Sequence, residues 1–127
     1  MKIKPINAPD APAAAGSYAQ AISLSGASEA LYISGQIPVT VDGSLPKGFR
    51  AQADQAWANI DAQLRAADMT RENLVKATIF LADRAHTIEN REARAAYLGD
   101  HVIGLTVIIC GIFDSDWLLE IEAIAAR

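Results

Sequence analysis

Apolar residues recur along this chain with two different periods, and the changes of period divide it into elements. Between Phe49 and Ala67 the apolar positions Ala53, Trp57, Ile60, Leu64 and Ala67 are spaced by 4, 3, 4 and 3 residues. That spacing draws one stripe down an α-helix, with Gln52, Asp54, Asn59 and Arg65 off it. It predicts a helix over 49–67 whose stripe covers a sheet. Asp68 to Asn73 ends it, and Thr70 with Asn73 predicts a capped short turn. Leu74–Leu81 is rich in β-branched and aromatic residues and predicts a strand. A second helix is expected from Thr87 to Gly99, with Ile88, Ala95, Tyr97 and Leu98 as its apolar face and Gly99 as its stop. Its charges, Glu89, Arg91, Glu92 and Arg94, allow Glu–Arg pairs along the helix.

The run 105–113 is apolar nearly throughout, the signature of a strand buried on both faces. After the turn Asp114-Ser-Asp116, the stretch 117–125 alternates. Leu118, Glu120, Glu122 and Ile124 share one face, and Trp117, Leu119, Ile121, Ala123 and Ala125 the other. Nearer the start, residues 5–16 carry Pro5, Pro9 and Pro12 and read as an extended lead-in. Strands over 17–24 and 30–34, joined by the turn at Gly26–Glu29, predict a hairpin. Val39–Val41 adds a short continuation. The resulting order is an α+β sandwich, a mixed sheet with two helices on one face, in a single domain spanning 1–127. A sheet with helices on one side leaves its other face open, so oligomerisation is the economical way to cover it.

Composition narrows the function classes. A hydrophobic fraction of 51% is ample for a core, and the net charge of -4 comes with no block of Lys or Arg. No nucleic-acid partner is therefore expected. One cysteine, Cys110, and two histidines, His86 and His101, make neither a disulfide framework nor a zinc site. No signal-peptide core and no membrane-length apolar run occur, so a cytoplasmic protein is expected. Two stretches carry polar groups in otherwise apolar settings. Within Leu31 to Val39 an apolar run ends in Ser34-Gly35-Gln36, a hydroxyl and backbone amides where a strand stops. Glu120 shares its face with Leu118 and Ile124, where a carboxylate needs a hydrogen-bonding partner. Glu122 reads equally well as a solvated strand-end charge, and Ser34 as a turn hydroxyl.

The segments Ala14-Ala15-Gly16-Ser17-Tyr18-Ala19-Gln20, Ile33-Ser34-Gly35-Gln36-Ile37-Pro38-Val39 and Glu120-Ile121-Glu122-Ala123-Ile124-Ala125 are similar, in this order, to the RidA/YjgF family, also labelled L-PSP endoribonuclease. The helix from Ala51 and the strand Val75–Leu81 resemble it too. The resemblance implies a chorismate-mutase-like fold and a homotrimer whose sheets form a central barrel. It implies a small-molecule pocket at each subunit interface and hydrolysis of enamines or imines such as 2-aminoacrylate, with no metal and no cofactor. By motif, Tyr18 is the pocket tyrosine, Ser34 and Gly35 the floor, and Glu120 the catalytic carboxylate that positions water or moves protons. Deaminating members carry an arginine fifteen residues before that glutamate, forked onto the substrate carboxylate. Leu105 stands there in this chain, and no arginine occurs between Arg94 and Arg127. The resemblance then implies a hydrolase of a metabolite without a carboxylate, inefficient toward 2-iminopropionate, with Leu105 lining the pocket. The alternative is a non-catalytic trimer that binds a metabolite or a partner.

Overall fold

The computed structural model describes residues 1–127. Its principal sheet has the strand order β3-β6-β4-β5, built from β3 (Ala30–Gln36), β4 (Leu74–Leu81), β5 (Gly104–Ile109) and β6 (Leu119–Ala126). The β4–β5 pair is parallel and the other pairings antiparallel, so the sheet is mixed. A parallel pair needs a crossover, and α2 (Thr87–Leu98) supplies it. Helix α1 (Phe49–Ala66) packs on β3 and β6 and against α2. Alternation decides which strand residues meet the helices. Leu74, Ala77, Ile79 and Leu81 of β4 and Leu119, Ile121, Ala123 and Ala125 of β6 are buried. With Phe49, Ala53, Ala56, Trp57, Ile60 and Leu64 of α1 they form the core.

The α1 stripe, β4, β6 and the α+β architecture agree with the sequence pattern. The N-terminal hairpin does not. β1 (Lys2–Ile6) pairs antiparallel with β2 (Ala21–Ser25) in a separate two-stranded sheet, while β3 pairs with β6. Pro5 is accommodated because β1 is an edge strand with only one neighbour. Val39–Val41 is not a strand. The apolar run after Gly104 also differs from expectation: its strand stops at Ile109, and Val107, Ile108 and Ile109 are exposed. β5 is the sheet edge, bridged by Ala19 only at Gly104, so its later residues have no strand beside them. Of the apolar face expected for α2, Leu98 is buried, but the helix otherwise buries Asn90, Ala93 and Arg94, and Ile88 is 69% exposed. Gly99 ends α2 at φ 58°, a left-handed conformation that favours glycine.

The capped turn after α1 exists as a single 3₁₀ turn over Arg71–Asn73. Asn73 Oδ1 accepts from the Thr70 amide at 2.9 Å, and its Nδ2 donates to the Ala126 carbonyl at 3.0 Å. Asn73 thereby ties the turn to the end of β6. Asn73→Ala should cost about 1–2 kcal/mol, the worth of two such bonds, read as a lower urea midpoint with an unchanged m-value.

Candidate functional site

Register and alternation place Lys76, Thr78 and Phe80 of β4, Thr106 and Ile108 of β5, and Glu120, Glu122 and Ile124 of β6 on the sheet face away from the helices. Lys76 Nζ donates to Thr106 Oγ1 at 2.8 Å across that face. Burial holds the Lys76 ammonium below its usual pKa, and the charge of Glu122 opposes the shift. The β3–β6 ladder breaks between Ile33 and Gln36. Ile33 faces Ala123 and Gln36 faces Ile121, so Ser34 and Gly35 together stand opposite Glu122 alone. This β-bulge uncouples two residues from the alternation and re-aims them.

The bulge brings Gly35 beneath Glu120. A Cβ built on Gly35 would lie 2.0 Å from Glu120 Oε1, 2.9 Å from its Cδ and 3.2 Å from its Cγ. The carboxylate therefore occupies the space a side chain would take. Gly35 and Glu120 line a cavity of about 370 Å³ with Phe80, Cys110, Gly111, Ile112 and Glu122.

Tyr18 and Leu105 lie elsewhere. In the parallel register Leu105 pairs with Ala77, so it points to the helix side of the sheet. It lines a second cavity, of about 230 Å³, with Ala15, Gly16, Tyr18, Arg91, Arg94 and Val107. The Ala19 amide holds this segment to the Ile103 carbonyl at 2.9 Å. Ser34 borders a third hollow, against the end of α1, with Tyr32, Gln36 and Gln63. Within one chain the five expected residues are thus not one site. Gly35 and Glu120 are together, Tyr18 and Leu105 are together, and Ser34 stands beside the first pair on the bulge. The largest cavity, about 610 Å³, is a groove between α1 and α2 that includes none of them. Its polar groups satisfy one another: Asp61 pairs with Arg65 and accepts from the Tyr97 hydroxyl at 2.8 Å. No group of three or more His, Cys, Asp or Glu side chains is placed to hold a metal ion. No helix is long and apolar enough to cross a membrane.

Residues 8–127 match the family described as Endoribonuclease L-PSP. The chain belongs to the RidA/YjgF family. It is 35% identical to protein HMF1 of Saccharomyces cerevisiae, over 98% of this chain and 95% of the yeast protein. It is 33% identical to the 2-iminobutanoate/2-iminopropanoate deaminase of Escherichia coli, over 98% of each. Among solved structures, E. coli TdcF with bound serine superimposes with a TM-score of 0.74 at 30% identity, over 98% of each chain. RidA/YjgF membership accounts for the mixed sheet and its two helices.

One feature of this RidA/YjgF chain escapes sequence reasoning: Arg94 is only 8% exposed. In the sequence it is one of four charges on α2, yet in the structure it forms no ion pair and no hydrogen bond within the chain. The signal lay in the spacing of Asn90, Arg94 and Leu98, four residues apart on one helix face.

Proposed function

We propose that this chain hydrolyses a small imine or enamine without a cofactor, at a pocket completed between copies of itself. The observation that carries this reading is the Glu120 carboxylate seated over Gly35 in an open-face cavity. Kinship with an imine deaminase supports the reaction class. Glu120 and Leu105 belong to opposite faces of one sheet, so the two cavities can join only across an interface. A homotrimer with the open faces turned inward would bring Gly35, Glu120 and Ser34 of one copy to Tyr18 and Leu105 of the next. It would also cover Ile108 and Tyr32, which is 76% exposed in the single chain.

In this reading water adds to the carbon of a protonated C=N bond while Glu120 takes the water's proton. The proton then passes to the nitrogen of the carbinolamine, the C–N bond breaks as the Glu120 carboxylate takes the remaining hydroxyl proton, and ammonia leaves a carbonyl product. One carboxylate serves as base and then as acid. A substrate with a carboxylate on the imine carbon finds no cation at Leu105. Loss of a charged hydrogen-bonded contact is worth roughly 1.5–3 kcal/mol. Ammonia release from 2-iminopropionate, generated in situ by an amino-acid oxidase, should therefore run about 10–150-fold slower than with an arginine-bearing relative. Imines generated from simple primary amines by a flavin amine oxidase test the reaction class itself. No acceleration of any imine would sink the hydrolase reading, and a 2-iminopropionate rate equal to the relative's would sink the substrate reading.

The replacement of the arginine by Leu105 favours a second reading, in which the trimer binds a metabolite without turning it over. Ribonuclease activity is disfavoured by the net charge of -4 and the absence of a basic block, because phosphate contacts supply most nonspecific RNA affinity.

A further inference from the structure

The cavity beside Leu105 holds a charge with no counter-charge. Arg94 reaches into it from α2, and its Nη2 lies 3.9 Å from where a Cβ on Gly16 would stand. The guanidinium therefore lies beneath the Ala15–Gly16 segment. Arg91 borders the same space, and none of the lining residues is acidic. Burial and the like charge of Arg91 both disfavour the charged form of Arg94, while Tyr18 opposes them. An arginine stays protonated all the same, so the chain keeps a cation with no protein partner, its side chain mostly buried and its nitrogens still reached by solvent. Such a group is costly unless something pairs with it. The Tyr18 hydroxyl adds a donor. It accepts weakly from the Ala15 amide, at 3.4 Å, which leaves its own proton free.

We infer that Arg94, with Tyr18 beside it, is the anion-binding group of this pocket, and that the ligand is a small molecule carrying a carboxylate set away from the imine carbon. The inference rests on the reading of Tyr18 and Leu105 as one wall of the ligand pocket, and it names the substrate class for that pocket. The cation comes from the helix instead of the strand. Leu105 is an apolar wall at the strand position, so an anion bound by Arg94 lies on the helix side of it. A carboxylate bonded directly to the imine carbon has no length to spare for that offset. One carried further along the ligand does. The planar fork of arginine suits a carboxylate, accepted through two parallel N–H···O bonds. The cavity volume of about 230 Å³ suits a small acid.

Butanoate is the probe, because it carries the acid and no reactive carbon. It is titrated by NMR line shifts into the wild-type oligomer and into Arg94→Gln, Arg94→Lys and Glu120→Gln, with the mass of each checked by light scattering. Arg94→Gln should bind roughly 10–100-fold more weakly than wild type. Arg94→Lys, which keeps the charge and loses the fork, should fall between them. Glu120→Gln, which removes a negative charge from the facing wall, should bind no more weakly than wild type. Equal affinity in wild type and Arg94→Gln overturns the inference, as does the absence of wild-type binding at concentrations on the order of 10 mM. An Arg94→Gln variant that loses oligomer mass but keeps its affinity assigns the guanidinium to a contact between copies, and overturns it too. Should Arg94→Gln fail to fold, Arg94→Lys decides: a loss of about threefold or more supports the inference, and no loss overturns it. No turnover enters the measurement, so failure of the hydrolase reading leaves this result standing.

Discussion

Glu120→Gln lowers turnover of the responsive imine by about 10²–10⁴-fold, the range expected when a positioned acid–base group is removed. Glutamine has the same shape as glutamate, so the packing over Gly35 is retained and the fold should be undisturbed. It cannot take a proton from water, which is the step assigned to Glu120. The measurement is ammonia release under saturating imine, paired with a thermal melt. Ligand affinity should change little, since binding is assigned to the other wall of the pocket. An activity that survives Glu120→Gln intact would remove Glu120 from the chemistry. Unaltered binding in a wild-type protein that accelerates no imine would instead favour the metabolite-binding trimer.

Gly35→Ala should cost about 10²-fold in activity while leaving stability nearly unchanged. The added methyl would lie 2.0 Å from Glu120 Oε1. That atom is the far end of a flexible side chain, so the carboxylate can swing aside. A displacement of this size at a reacting group is enough to cost about two orders of magnitude in rate. The two substitutions should also be strongly non-additive. Once Glu120→Gln has removed the proton transfer, moving the side chain has little left to damage. A double-mutant cycle on initial rates measures this directly. Additive losses would mean that Gly35 acts on something other than Glu120.

The elements legible in the sequence are those whose pattern records burial inside one chain. The α1 stripe through Trp57, Ile60 and Leu64 and the alternation of Leu119, Ile121, Ala123 and Ala125 are such patterns, and all of these residues are buried in the core. Partner choice is different. Nothing local to Ala21–Ser25 says that it pairs with Lys2–Ile6 rather than with Ala30–Gln36, because either neighbour is a strand long enough to match it. The proline in β1 disguised a strand as a lead-in. The apolar run after Gly104 was read as doubly buried, and the single chain leaves Val107 to Ile109 exposed. On the trimer reading, that run records burial which a neighbouring copy supplies. The pairing of Glu120 with Gly35 followed from motif order. Arg94 did not, because a charged residue on a helix with several others reads as solvated until the packing is known.

The bulge at Ser34–Gly35 has a consequence for changes in chain length. A strand in a ladder tolerates no single deletion, because every later side chain would turn to the opposite face. β3 contains one residue more than its ladder with β6 requires, since Ser34 and Gly35 share one opposite position. Loss of Ser34 alone would keep Ile33 against Ala123 and Gln36 against Ile121. The bulge is therefore the one point in β3 where a homologue could be a residue shorter and stay in phase. Such a shortened relative would keep the architecture while surrendering the geometry that places Gly35 under Glu120.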